Sequence, residues 1–307
     1  MGRVTSPAPP DPAALRPRLP SPLQEIEDEP FARRGIRLLL KRDDLIHPDL
    51  PGNKWRKLAP NLRAAAAAGE RALLTFGGAY SNHLRATAAA GRLLGFATIG
   101  VVRGDELAGA PLNPSLARCA ADGMRLHFVD RGTYRRKTGP DVLAALHDRF
   151  GAFRVIPEGG SNALATQGCS ELGRELHGTA DTVAVACGTG GTLAGLAAGL
   201  GPGQRAIGFP VLKGGRPHFL QETVEELQRA AFGGRRGDWR LEDRFHCGGY
   251  ARRTPELDAF ADAFENRHGL PLERIYVAKV LLGLTTLAGE GAFPPGSTVA
   301  AVITGTP

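Results

Sequence analysis

Short apolar runs alternate with longer helical stretches along almost the whole chain. Arg71-Ala72-Leu73-Leu74-Thr75-Phe76 is followed by Gly77-Gly78, which predicts a strand closed by a turn, and a helix then runs through Leu84 to Leu94. The same alternation predicts strands at Thr98–Val102, Arg125–Val129, Arg154–Pro157, Thr182–Ala186, Ala206–Val211 and Thr298–Ile303. Helices are expected through Leu116–Ala121, at Asp141–Phe150, at Gly168–Leu176, and after the glycines that close the Thr182 strand. Strands and helices in this order argue for an α/β protein with doubly wound parallel sheets. No internal repeat is evident. Ligands of such sheets bind beyond the carboxyl ends of the strands. The loops there are Gly77–His83, Glu158–Asn162, Gly188–Thr192 and Thr304 onward.

One stretch carries more chemistry than the rest. Leu39 to Leu45 reads as a strand entering a polar loop, and Gly52-Asn53 then permits a turn and a helix cap. The helix runs from about Lys54 into the alanine-rich Ala64–Ala68. An amine in its first turn feels the positive end of the helix and, when buried, loses solvation, and both effects favour the neutral, nucleophilic form. Lys54 is therefore a candidate for a Schiff base with an aldehyde cofactor. Lys57 projects from the same face and could meet a phosphate on that cofactor. Alone, a Lys-x-x-Lys pair is most often a solvated basic helix start.

Two glycine-rich turns bear on the choice. Cys187-Gly188-Thr189-Gly190-Gly191-Thr192 lies between a strand and a helix, where converging N–H groups and two hydroxyls suit a phosphate. Leu193 stands where a dinucleotide fingerprint needs its third glycine, and no Gly-Lys-Ser/Thr follows to make a Walker loop. A tight strand-to-helix connection would use the same glycines. In Gly77-Gly78-Ala79-Tyr80-Ser81-Asn82-His83, residues Ser81, Asn82 and His83 begin a helix. That arrangement suits a carboxylate, and Asn82 could bond a phenolate oxygen on a cofactor ring. Ordinary N-capping by Ser81 or Asn82 needs no ligand.

Composition narrows the class. A chain of 307 residues, 42% hydrophobic and 22% charged, has room for two lobes and a sizeable core. The small lobe is expected over 51–157 and the larger over 1–50 and 158–307. The net charge of +7 suits an anionic ligand. Its short, scattered basic runs lack the interleaved aromatics of a nucleic-acid surface, so no nucleic-acid partner is expected. The four cysteines form no Cys-x-x-Cys pair and no zinc spacing, so reduced thiols, no metal and a cytoplasmic setting are expected. No apolar run approaches the ~20 residues of a membrane span, so no membrane partner is expected. Met1–Pro22, rich in Pro and Arg without a signal-peptide core, reads as a loosely ordered tail.

Taken together, seven segments resemble the D-cysteine desulfhydrase and 1-aminocyclopropane-1-carboxylate deaminase group, pyridoxal-phosphate enzymes of the tryptophan-synthase-β fold type (fold type II). They are Lys41-Arg42-Asp43-Asp44-Leu45, Gly52-Asn53-Lys54-Trp55-Arg56-Lys57-Leu58, Ser81-Asn82-His83, Glu158-Gly159-Gly160-Ser161-Asn162, Gly188-Thr189-Gly190-Gly191-Thr192, Gly248-Gly249-Tyr250 and Thr304-Gly305. The resemblance runs from about Pro22 to Thr304 and implies two α/β lobes with the cofactor, pyridoxal 5′-phosphate, in the cleft between them. It implies that Lys54 holds the cofactor covalently and Asn82 bonds the ring phenolate. Lys57 and the Gly188–Thr192 loop hold the phosphate, Ser81 and the backbone around it hold the substrate carboxylate, and Thr304 stands near the pyridine nitrogen. Tyr250 and Tyr276 match two tyrosines of the pocket. A hydroxyl at the pyridine nitrogen makes the ring a weaker electron sink than a carboxylate would, which favours prompt loss of a β substituent.

The activity so implied is α,β-elimination on cysteine or an S- or β-substituted alanine, giving pyruvate and ammonia, with a homodimer expected from the resemblance alone. Where the family shows Tyr-Thr-Gly-Lys, or Tyr-Glu-Gly-Lys in the cyclopropane deaminases, this chain has Tyr276-Val277-Ala278-Lys279, and His-Thr-Gly-Gly is Ile303-Thr304-Gly305-Thr306. Val277 and the His83 of Ser81-Asn82-His83, where the deaminases have Gln, make cyclopropane-ring opening the alternative rather than the first reading. A racemase or β-replacement enzyme on the same fold, and a non-catalytic ligand-binding homologue, are the others.

Overall fold

The structure is a computed structural model and describes residues 11–50, 52–213 and 218–306. The chain divides into two compact units. Among the described residues, 11–17 and Leu58–Gly160 form one, and Arg18–Lys57 with the chain from Ser161 onward forms the other. The edges thus fall at Leu58 and Gly160 where the sequence suggested 51 and 157, and Pro51 itself lies outside the described residues.

Among the described residues, ten strands build two sheets. In chain order they are β1 (Leu23–Ile26), β2 (Arg37–Lys41), β3 (Ala72–Gly77), β4 (Ala97–Arg103), β5 (Arg125–Val129), β6 (Arg154–Ile156), β7 (Thr182–Cys187), β8 (Arg205–Pro210), β9 (Asp238–Leu241) and β10 (Thr298–Val302). The first unit holds a four-stranded sheet in the order β5-β4-β3-β6, parallel throughout. The second holds a six-stranded sheet in the order β1-β2-β10-β7-β8-β9, parallel except where the edge strand β1 runs antiparallel to β2. Parallel pairs need crossover connections, and the helices between the strands supply them.

The period-2 pleat explains why both faces of the larger sheet are covered. Leu38, Leu40, Ala184, Ile207, Phe209, Val299 and Ala301 face one way and pack with Phe31, Phe264, Leu281 and Leu284. Their neighbours Leu39, Val183, Val185, Ala206, Ala300 and Val302 face the other way and pack with Leu172, Leu193, Leu196 and Val224. Each Val, Leu, Ile or Phe among them contributes about 1.5–3 kcal/mol when buried, so a strand apolar on both faces is anchored twice over. In the smaller sheet Leu74, Phe76, Ile99 and Val101 meet Tyr134, Val142 and Leu146. Val102 lies on the opposite face with Leu84, Leu116 and Met124.

Three departures from the sequence reading matter. The helix expected at Gly168–Leu176 spans Ala163–Arg174, because Asn162 caps it, accepting from the Ala165 N–H at 2.9 Å. The tail expected to be loose through Pro22 is fixed well before that: Pro12–Leu15 forms a 3-10 turn and buried Ser21 donates to Asp43 Oδ1 at 2.7 Å. Residues 1–10 of that tail lie outside the described residues. The strands β1 and β9 and the helices Phe219–Phe232, Pro255–His268 and Val277–Gly289 complete the second unit and had no sequence expectation. Among the described residues, no helix is long and apolar enough to cross a membrane.

Candidate active site

Beyond the carboxyl end of β10, two segments of the second unit meet. Gly52 sits at φ +61°, and a Cβ there would lie 1.7 Å from the Thr304 carbonyl oxygen, so the turn before Lys54 admits only glycine. The Asn53 N–H donates to that same carbonyl at 3.1 Å. Asn53 is buried, and its side chain works in two directions. Its Nδ2 donates to Thr192 Oγ1 at 3.2 Å, and its Oδ1 accepts from Lys54 Nζ at 3.1 Å. The segment after β10 at Thr304, the glycine loop at Thr192 and the Lys54 amine are tied together by one asparagine.

Lys54 is the first residue of the helix Lys54–Ala67. Burial and the neighbouring Lys57 charge lower its pKa from 10.5 to about 8, against smaller opposing effects of Cys169 and Glu273. At pH 7 to 8 an appreciable fraction of this amine is therefore neutral and nucleophilic, as condensation with a carbonyl requires. Lys57 is buried, and desolvation pulls its pKa down as well.

The Lys57 ammonium enters the glycine loop. Lys57 Nζ donates to Ser161 Oγ at 3.2 Å, and Ser161 Oγ shares a hydrogen bond with Thr189 Oγ1 at 2.6 Å. The loop leaves β7, turns at Gly190 (φ +76°) and opens the helix Gly191–Gly199. A Cβ on Gly191 would stand 2.6 Å from Ser161 Oγ and 3.3 Å from Lys57 Nζ, so the bare glycine backbone leaves a cradle. An ammonium, three hydroxyls and a helix N-terminus make a donor set that suits a dianionic phosphate.

Both expected tyrosines also lie in this unit. Tyr276 Cε1 is 3.7 Å from where a Cβ of Gly188 would be, and the Tyr250 and Tyr276 rings meet edge to face with centroids 6.1 Å apart. Buried Glu273 fixes the backbone here, accepting from the N–H groups of Ile275 and Tyr276 at 2.8 Å each and of Val277 at 3.4 Å. Val277 and Ile303, two of the departures from the family pattern, are buried in the apolar core. They carry no polar group into it.

Ser81, Asn82 and His83 belong to the first unit, at the start of the helix Asn82–Leu94. Ser81 is the cap, its Oγ accepting from the Leu84 N–H at 3.3 Å. Gly77 makes room for that cap, since a Cβ there would lie 2.7 Å from Ser81 Oγ. The His83 ring is buried, and its Nε2 lies 2.8 Å from Thr75 Oγ1, which itself donates to the Ile156 carbonyl. With that hydroxyl proton committed, the imidazole Nε2–H is the donor, and His83 pins its helix to β3.

Three supports escaped the sequence reading. Asn53 was read only as a turn and helix-cap residue and Ser161 stood inside a quoted segment without a role, and their position at a Gly-Asn turn or a strand end was the available signal. Arg56 carried none. Its guanidinium is fully buried and grips Asp43 through two bonds of 2.8 Å and Glu175 through two of 2.9 Å, fixing the turn beside Lys54.

Comparison with known proteins agrees with this chemistry. Residues 16–305 match the family described as pyridoxal-phosphate dependent enzyme. The mitochondrial bifunctional D-cysteine desulfhydrase/1-aminocyclopropane-1-carboxylate deaminase of Arabidopsis thaliana is 30% identical over 288 residues, covering 87% of this chain and 71% of the relative. A D-cysteine desulfhydrase of Yersinia pestis is 30% identical over 271 residues, covering 81% and 80%. The crystal structure of an ACC deaminase homologue superposes with a TM-score of 0.79 at 27% identity, over 96% of this chain and 94% of that one. An amine with a lowered pKa beside an anion cradle fits a cofactor that joins an aldehyde to a phosphate. The chain belongs to the family of pyridoxal-phosphate dependent enzymes.

Proposed function

We propose that this protein is a lyase that uses pyridoxal phosphate to eliminate the β substituent of cysteine or of an S- or β-substituted alanine, releasing pyruvate and ammonia. The observation that carries the reading is the lowered pKa of the Lys54 amine, about 8, next to the cradle of Lys57, Ser161, Thr189 and Gly191. The cofactor, when bound, supplies an aldehyde for amines and a ring that draws electrons from the substrate Cα. Lys54 Nζ, part of it neutral near pH 8, would be the amine that holds the cofactor's aldehyde and, once free, the base that accepts the substrate Cα proton. Lys57, Ser161 and the backbone and hydroxyls of Gly188, Thr189, Gly190, Gly191 and Thr192 would hold the phosphate. Thr304 would partner the pyridine nitrogen, and Asn82 the ring phenolate. Ser81 and the N–H groups of its turn would receive the substrate carboxylate. Tyr250 and Tyr276 line the pocket and orient the substrate.

Elimination is preferred over cyclopropane-ring opening because Val277 offers no carboxylate at the position where the deaminases carry one, and its side chain packs into the core. Arabidopsis thaliana's bifunctional relative shows by its name that the two activities can share one chain. We further propose a cytoplasmic homodimer acting on a small amino acid, without nucleic-acid or membrane partners. Light scattering of the purified protein checks the dimer.

The test is a screen of the cofactor-loaded enzyme against D-cysteine, L-cysteine, β-chloroalanine, S-alkyl cysteines and 1-aminocyclopropane-1-carboxylate. Pyruvate is expected from at least one of the alanine derivatives. Formation of 2-oxobutanoate from the cyclopropane substrate alone would replace the reading with the deaminase. Exchange of the α proton without keto-acid release would replace it with a racemase.

A further inference from the structure

Lys279 is the sole charged residue of the helix Val277–Gly289, and its side chain is fully buried among apolar neighbours. A cation in the first turn of a helix also opposes the helix dipole, so its position demands a local reason. Lys279 Nζ donates to the His246 carbonyl and to the Gly249 carbonyl, each at 2.9 Å. These two carbonyls close consecutive turns. The Gly249 N–H donates to His246 O at 3.0 Å, and the Arg252 N–H donates to Gly249 O at 3.2 Å. Tyr250 is the second residue of the second turn.

The segment is strained. Cys247 (φ 52°) and Ala251 (φ 55°) both occupy the left-handed region that side chains avoid, flanking Gly248 and Gly249 at φ 85° and 121°. Left to itself, such a loop would relax, and Tyr250 would leave the edge-to-face contact with Tyr276. We infer that Lys279 is a positioning residue for Tyr250, its buried ammonium holding, through two carbonyls, the pair of turns that set the phenol beside Tyr276. The inference rests on the proposed placement of Tyr250 in the active site for its catalytic consequence, but not for its structural one.

Two arms separate those consequences. In the first, the protein without added cofactor is treated with trypsin, and cleavage after the exposed Arg252 and Arg253 is followed by mass spectrometry. Lys279→Met, which keeps the apolar stem and removes the donors, is expected to speed cleavage there about tenfold, because two hydrogen bonds that closed the loop are gone. Should Lys279→Met fail to fold, Lys279→Gln, whose shorter amide cannot reach both carbonyls, carries the same expectation. Cleavage at the wild-type rate in the variant that folds overturns the inference.

The second arm measures kcat and KM for pyruvate release by the loaded enzyme. Lys279→Met is expected to lower kcat about tenfold or more with KM little changed, and Lys279→Met combined with Tyr250→Phe to be no worse than Tyr250→Phe alone. Losses that multiply would mean that Lys279 does not act through Tyr250 and overturn the inference. If Tyr250→Phe alone leaves turnover intact, the placement of Tyr250 in the active site fails, while the proteolysis arm still decides the clamp.

Discussion

Replacing Arg56 by Met tests how the Lys54 turn is held. The guanidinium has no exposed surface, Asp43 has none, and Glu175 retains 14%. In the variant, Asp43 keeps only the 2.7 Å bond from Ser21, while Glu175 keeps Lys41 at 2.6 Å. Breaking a buried ion pair by removing one partner costs about 3–5 kcal/mol, because the remaining charge is stranded. With an unfolding entropy of about 2.1 cal/mol/K per residue over 307 residues, cooperative melting should fall by about 5–8 °C. The assay is thermal unfolding followed by circular dichroism at pH 7. Adding Asp43→Leu removes the stranded carboxylate and should return most of the loss, since well-packed apolar replacements of buried pairs are close to neutral. Cofactor affinity should stay reduced in the double variant, because the turn before Lys54 has lost its anchor. A melting point within 1 °C of the parent for Arg56→Met, or no recovery in the double variant, would refute the reasoning.

Other expectations follow from the same geometry. Burial raises the Glu175 carboxyl, but hydrogen bonds from Arg56 and Lys41 outweigh it and hold the pKa below the usual 4.5. Its contribution is thus complete above pH 4.5 and fades as pH falls through the lower folded value, which acid titration of stability in the parent and in Glu175→Gln should show. Lys54 has the opposite consequence. Its charge is disfavoured in the fold below about pH 8, and stability lost there is regained between about 8 and 10.5, where only the unfolded amine still binds a proton. Lys54→Met should therefore raise the melting point of the cofactor-free protein at pH 7, and cofactor attachment in the parent should accelerate with pH and level off near 8. Gly191→Ala places a methyl 2.6 Å from Ser161 Oγ, and absorbance titration should find cofactor affinity down about tenfold or more with melting of the free protein much less affected.

The parallel core was legible because a strand buried on both faces is apolar on both, as the run from Val183 to Cys187 is. Edge strands carry no such mark. β1 reads Leu-Gln-Glu-Ile with three exposed residues, and β9 buries only Trp239 fully, so neither pattern separates from a loop. The lowered pKa of Lys54 was legible because two groups that act on its amine, Asn53 and Lys57, are also its neighbours in sequence. Supports that come from far along the chain were not. Arg56 meets Glu175 across 119 residues, and Asn53 meets Thr192 across 139. The contact of His83 was equally hidden: its sequence marks a polar residue beside a helix cap, and the partner of its Nε2, Thr75, lies on the neighbouring strand. Position 83 is one residue past the start of the helix, and only the sheet beneath it decides which way that side chain points.

Everything functional converges on a single nitrogen. The purified protein is loaded with pyridoxal phosphate, reduced with borohydride and digested, and the peptides are mapped by mass. A pyridoxyl group fixed on Lys54, and absent from Lys54→Met treated alike, is the predicted result. The same group on Lys57 or Lys279, or on no residue at all, would contradict it.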